Sequence, residues 1–364
     1  PRPAARAPRR RGNDARVLYG LLEAATQRGA SDLHLADGEQ AQIRVGGRLR
    51  PLEVDAPDDV RLLVGPLLDE AAHKDVEAGR SVDRAVALPG GQRFRLNVYR
   101  CAQGWAAALR VLRREAPRLP ELNLPVDLSE LATRPHGLVV VCGPTGAGKT
   151  TTCAALARHA LETRGGLLVT LEQPVEYAFD APDGALVRQR EVGRHVVDFA
   201  TGLRDALRED PDLLLVGEMR DPETIELALT AAETGHLVLT TLHARSAASA
   251  IERIVDAYPP SRQPWIRGQL AGVLEAVVAQ RLLPRADGAG RVPAVEVLRA
   301  THNVSNLVRE GRTAHLQSAL QAGRDAGMVV MEKSLADLVR RGAVALADAV
   351  AAAADAASLA DYLR

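Results

Sequence analysis

The stretch from Gly137 to Thr163 constrains this chain more than any other. Gly137-Leu138-Val139-Val140-Val141-Cys142 is a short apolar run with β-branched residues, the pattern of a strand buried in a parallel sheet. Gly143-Pro144-Thr145-Gly146-Ala147-Gly148-Lys149-Thr150 follows and matches G-x-x-x-x-G-K-[ST]. Thr151 to Thr163 is rich in Ala and Leu and reads as a helix. Strand, glycine loop and helix in that order make a phosphate cradle, because loop N–H groups and the positive end of the helix both favour an anion. Only three of the 46 Lys and Arg residues are lysines, and one of them stands in this loop. A slim ammonium reaches between two phosphates where a planar guanidinium does not fit. The loop predicts a nucleotide held by Gly143, Pro144, Thr145, Gly146, Ala147, Gly148, Lys149, Thr150 and Thr151, with the Thr150 hydroxyl on Mg²⁺.

The chain's 364 residues leave room for a second domain. Formal net charge is zero, so no overall field attracts nucleic acid or an anionic membrane. Aromatic residues make up 3%, too few for the stacking platforms of a single-strand binder. Cys101, Cys142 and Cys153 have neither metal-ligand spacing nor the look of a disulfide framework, and a reducing compartment fits them. Cys142 and Cys153 flank the loop and read as core residues. No apolar run approaches the eighteen or so residues needed to span a bilayer. Pro1 to Arg11 lacks the apolar centre of a signal peptide and reads as a disordered basic tail, with the missing Met suggesting a truncated start.

Pattern divides the chain into five parts: a tail (1–13), an α+β domain (14–112), a Pro-rich linker (113–136), an ATPase-type domain (137–300) and a helical C-terminal portion (301–364). In the α+β domain, helices are expected over Val17 to Gln27 and Asp58 to Ala78. Strands are expected over Ser31 to Leu35, Ala41 to Val45, Arg48 to Glu53, Ser81 to Leu88, Arg93 to Cys101 and Trp105 to Leu112, giving an antiparallel sheet. The linker carries Pro117, Pro120, Pro125 and Pro135 and is expected to be extended and hinge-capable. Beyond it, Leu167 to Leu171, Leu213 to Val216 and Leu237 to Thr241 read as further buried strands, with helices over Thr201 to Glu209 and Pro222 to Thr234. The expectation is an α/β fold with a doubly wound parallel sheet and its ligand at the strand carboxyl ends. Ile266 to Leu282, Val304 to Glu310, Ala314 to Ala322, Glu332 to Arg341 and Ala347 to Leu363 read as helices.

Acids cluster where such a sheet would present them. Leu213 to Val216 runs into Gly217-Glu218, and an acid at that point suits polarising an attacking water or holding a metal. Gly217 precedes it where a second acid is common, so the role of general base falls on Glu218. Glu172 and Glu176 follow the preceding strand and face the same crevice, positioned for water or metal. A histidine on an apolar face is usually a satisfied core residue. His243, past the end of a central strand, is better placed to meet a γ-phosphate or Glu218, while His236 at that strand's start reads either way.

Taken together, GPTGAGKT, LEQPVEY, REDPDLLLVGEMRDPET and TGHLVLTTLHARSA resemble the Walker A, Asp-box, Walker B and His-box motifs of the hexameric ATPases that drive type IV pili and type II secretion. The resemblance runs from about Val17 to Arg341. It implies a RecA-like ATPase domain behind a PAS-like α+β domain, with ATP and Mg²⁺ as cofactors. It also implies a cytoplasmic homo-hexamer docked at the inner membrane on a pilus platform protein, with no membrane span and no nucleic acid. Two features resemble the retraction ATPases more than the extension motors: no four-cysteine zinc insertion follows Ala279-Gln280-Arg281-Leu282, and Val304 to Glu310 is similar to the AIRNLIRE helix. In such ATPases arginines of the first domain reach the nucleotide, and by motif match these are Arg95 and Arg110. Two departures stand out: Gln173 stands where the family has Asp, so one Asp-box carboxylate is lost, and the first two residues of the AIRNLIRE helix differ. Competing readings are an extension or secretion ATPase, a slow-hydrolysing scaffold and a nucleic-acid motor.

Overall fold

A computed structural model describes residues 14–54, 59–87, 91–112, 115–288 and 290–364. The basic tail, the end of the expected strand at Leu88, the turn residues 89–90, the start of the second expected helix at Asp58 and the linker residues 113–114 lie outside them. The chain forms two compact units, divided between Arg114 and Glu115.

The first unit is a six-stranded antiparallel sheet: β1 (Asp32–Ala36), β2 (Gln42–Val45), β3 (Arg48–Pro51), β4 (Val82–Ala87), β5 (Arg93–Cys101) and β6 (Gly104–Leu112), in the order β3-β2-β1-β6-β5-β4. Period-two alternation puts Phe94, Leu96 and Val98 of β5 on the buried face, packed with Leu18, Leu21 and Leu22 of the helix Asp14–Gln27. The second expected helix is broken into Val60–Val64, a 3₁₀ turn Gly65–Leu67 and Glu70–Glu77. Pro66 lacks the N–H an unbroken helix needs, and Asp69 starts the next helix by accepting from the Ala72 N–H at 2.7 Å.

The second unit is built on a seven-stranded sheet: β7 (Gly137–Cys142), β8 (Gly166–Glu172), β9 (Ala185–Glu191), β10 (Leu213–Val216), β11 (Leu237–Leu242), β12 (Leu274–Pro284) and β13 (Arg291–Arg299). Its order is β13-β12-β7-β11-β10-β8-β9, parallel throughout except that β13 runs antiparallel on β12. The sheet is therefore mixed, where a wholly parallel one was expected. Both faces are covered. Leu138, Val140 and Cys142 of β7 join one core, while Val139 and Val141 join the other with Cys153, Leu156 and Leu168. Burying each such side chain contributes about 2 kcal/mol, which is why these strands read as unbroken apolar runs.

Three other expectations are corrected. From Glu115 on, the Pro-rich stretch belongs to the second unit: Leu119, Leu128, Leu131 and Ala132 are buried against β7 and the helix Lys149–Arg164. Pro120 sits in the first turn of a 3₁₀ helix, where its missing N–H has no cost. The expected helix Ile266 to Leu282 is half helix, Gln263–Val273, and half β12. β12 fills the slot beside β7, and pairing on both sides outweighs the helix propensity of its Ala, Leu, Gln and Arg. Near the C-terminus one expected helix becomes two, Leu346–Ala352 and Ala356–Leu363, because Asp355 caps the second through the Ala357 N–H.

Candidate functional site

β7 ends at Cys142 and delivers the glycine loop to the carboxyl edge of the sheet, between its neighbours β11 and β12. Gly143 has φ +154°, and a Cβ there would lie 2.4 Å from the Gln280 carbonyl oxygen on β12. Gly148 has φ +85° and precedes the helix Lys149–Arg164 without any side-chain cap. The helix thus starts with open N–H groups, the arrangement an anion fills. The Lys149 ammonium donates to the carbonyls of Gly143 at 3.1 Å and Pro144 at 3.0 Å. Burial holds its pKa below the usual lysine value, with Glu218 among the opposing charges.

Three further parallel strands, β11, β10 and β8, end at the same carboxyl edge of the sheet, in that order from the loop. Gly217 and Glu218 follow β10; the Gly217 N–H donates to the Leu171 carbonyl at 2.8 Å, and its carbonyl accepts from the Thr241 hydroxyl. The mostly buried Glu218 carboxylate is paired with the exposed Arg220 guanidinium. His243 follows β11 and is exposed as a residue; partial burial of its imidazole and the Lys149 charge lower its pKa, and Glu218 opposes them. Lys149, Glu218 and His243 therefore lie within electrostatic reach of one another. His236 sits at the opposite end of β11, its Nδ1 2.9 Å from the Ala231 carbonyl, and it closes the preceding helix.

Glu172 ends β8 and is only 3% exposed. Burial pushes its carboxyl up to about 7, against hydrogen bonds from Thr170 at 2.7 Å and Gln189 at 3.3 Å. Glu176 is half-buried; its backbone N–H lowers the Glu172 value, and its charge raises it by less. Gln173 between them is exposed. Gln189 also donates to the Tyr177 carbonyl at 2.8 Å, and the Tyr177 hydroxyl meets the Thr151 hydroxyl at 2.7 Å. These bonds join Glu172 to the first turn of the loop helix. Gln189 lies on β9, whose polar sequence hid it as a strand.

Other motif residues build the frame. Asp221 caps the helix Pro222–Glu233 through the Thr224 N–H at 2.8 Å, and Ser246 caps Ala247–Asp256. Cys142 and Cys153 are buried, and burial pushes both thiols up to about 12, as core residues. Gln280, buried on β12, hydrogen-bonds both the Ala147 carbonyl and the Thr152 hydroxyl. In the sequence Gln280 stands within Ala279-Gln280-Arg281-Leu282, and nothing in that pattern points to the loop. Within the first unit, Arg95 and Arg110 are cross-strand partners on β5 and β6. Asp83 holds Arg95 through contacts of 2.6–3.2 Å, and Asp32 holds Arg110 at 2.8 Å. The site residues of the second unit come together at one sheet edge, and the two arginines form a pair within the first.

Among the described residues, no helix is long and apolar enough to cross a membrane. Residues 11–358 match the model of the family described as type II/IV secretion system protein. The chain is 43% identical over 323 residues to the uncharacterised protein YggR of Escherichia coli, covering 88% of this chain and 98% of YggR. It is 40% identical to the type IV pilus retraction ATPase PilT of Pseudomonas aeruginosa, covering 89% of this chain and 94% of PilT. A crystal structure of the pilus retraction motor PilT with bound ADP superposes with a TM-score of 0.86 at 39% identity, covering 95% of this chain and 99% of that one.

Proposed function

The chain belongs to the type II/IV secretion system protein family, and from that premise we propose that it is an ATP-hydrolysing hexameric motor that powers retraction of a type IV pilus. The observation that carries the reading is the Lys149 ammonium held on the Gly143 and Pro144 carbonyls at a helix start without a side-chain cap, with Glu218 and His243 just past the ends of the parallel strands β10 and β11. Nucleotide phosphates bind on Gly143 to Thr151, and the Lys149 ammonium leaves the loop carbonyls for the β- and γ-phosphates. Glu218 orients and deprotonates the attacking water. Glu172, whose carboxyl titrates near neutrality, and Glu176 assist it, and His243 senses the γ-phosphate. Arg95 and Arg110 supply the further positive charge that phosphoryl transfer requires. Each cycle swings one domain against the other. The ring works in the cytoplasm on a platform protein of the inner membrane.

Among the described residues, no three His, Cys, Asp or Glu side chains form a ready metal site. The Thr150 hydroxyl, in the first turn of the loop helix, is the residue that would hold a Mg²⁺ bound with the triphosphate. Bound there, the ion would supply charge neutralisation to the phosphates.

Gln173, in place of an Asp-box carboxylate, favours a second reading, a scaffold that binds nucleotide and turns it over slowly. Phosphate release by wild type, Lys149→Ala and Glu218→Gln tests both. The motor requires wild-type turnover, none in either variant, and a light-scattering mass several times 38.8 kDa. Equal background rates in wild type and Glu218→Gln support the scaffold. Absence of adenine-nucleotide uptake by wild type in calorimetry refutes both.

A further inference from the structure

We infer that Gln280 is the positioning residue of the phosphate loop, and that nucleotide affinity depends on its side-chain amide. The inference rests on the nucleotide-binding reading above. β12 lies beside β7 and runs parallel to it, with Ala279 opposite Cys142, so the next residue, Gln280, stands level with the start of the loop. Its side chain is 3% exposed. Nε2 donates to the Ala147 carbonyl at 2.7 Å, and Oε1 accepts from the Thr152 hydroxyl at 2.8 Å. A carbonyl can only accept, so the amide orientation follows from its partners. One side chain thereby joins the glycine loop to the first turn of the helix behind it.

The Ala147 carbonyl and the Gly148 N–H belong to one planar trans peptide and point in opposite directions. Pinning the carbonyl to β12 aims the Gly148 N–H away from β12. Gly148 is a residue that needs such pinning: it stands at φ +85° without side-chain bulk to settle its conformation. Space around Gln280 tells the same story. A Cβ on Gly148 would lie 2.8 Å from Gln280 Nε2, and one on Gly143 2.4 Å from the Gln280 carbonyl oxygen. Gln280 therefore packs against the loop at both ends, and the glycines there leave room for it.

Only glutamine meets this requirement among residues of its length. Glutamate cannot donate to Ala147, and asparagine is one methylene shorter. Methionine matches the volume and removes both hydrogen bonds, leaving the Ala147 carbonyl and the Thr152 hydroxyl without partners. The neighbouring Arg281 donates to the Ala352 carbonyl, so the same strand also holds the C-terminal helices.

The test measures ADP affinity by calorimetry, the KM and kcat for ATP, and the nucleotide-free melting temperature of wild type, Gln280→Met and Thr152→Val. The expected result for Gln280→Met is a rise of about tenfold in both the ADP Kd and KM, corresponding to the loss of about one hydrogen bond, with kcat at saturation changing less than KM. Thr152→Val, which keeps the Ala147 contact, is expected to shift Kd by less than about threefold, and Thr152→Ser to restore wild-type affinity. A lower melting temperature with unchanged Kd and KM in Gln280→Met would overturn the inference, since that is what a residue serving stability alone predicts. Should Gln280→Met fail to fold, Gln280→Glu provides the same comparison, because it keeps the acceptor for Thr152 and loses the donor for Ala147. Wild type that takes up no nucleotide refutes the functional reading itself, and wild type that binds while the variants bind equally well refutes only the role of Gln280.

Discussion

Replacing Glu172 by Gln tests the electrostatics of the site through pH. The Glu172 carboxyl moves from its ordinary 4.5 to about 7, because burial disfavours its charge. Below pH 4.5 the native and unfolded chains both carry the proton, and the group contributes nothing to the pH dependence. Between pH 4.5 and 7 the unfolded chain gives up its proton first, so stability falls as pH rises. At about 1.4 kcal/mol per pH unit the full loss is about 3 kcal/mol, reached above pH 7. Glu172→Gln carries no such proton. Its amide oxygen can still accept from Thr170 and Gln189, and whatever else the amide changes is a constant offset. In thermal melts from pH 4 to 8, the melting temperature of the variant minus that of wild type should rise across this interval and level off above 7. For a unit of this size the rise should be about 6–12 °C. A difference that stays flat across the range would refute the reasoning, since it would mean that Glu172 titrates alike in both states.

Two further outcomes follow, one from the proposed function and one from the geometry of the loop. Arg95→Ala and Arg110→Ala should each lower ATP turnover by at least about a hundredfold while changing the ADP Kd by less than about threefold; unchanged turnover would leave the two arginines only their ion pairs with Asp83 and Asp32. Gly143→Ala should destabilise the protein by about 3 kcal/mol in urea denaturation, because its Cβ meets a backbone oxygen that cannot rotate away; an unshifted midpoint would contradict that contact.

The sequence by itself determined the phosphate loop, the buried parallel strands around it and the acids at their ends. These are local features: an apolar run announces a strand buried on both faces, Gly marks positive φ, and Gly148-Lys149-Thr150 carries its chemistry in its own side chains and backbone. Glu172, Glu218 and His243 stood out as candidates because each lies within two residues of the end of such a run. Only the tertiary structure decided which groups those residues meet. β12 was read as helix because its residues favour helix in isolation, and its place beside β7 depends on partners far away in the chain. Gln280 and Gln189 were missed for the same reason, since a buried amide is identified by the carbonyl or hydroxyl it reaches and not by its neighbours in sequence. The raised carboxyl of Glu172 is likewise a property of the surrounding core, which no spacing of letters records.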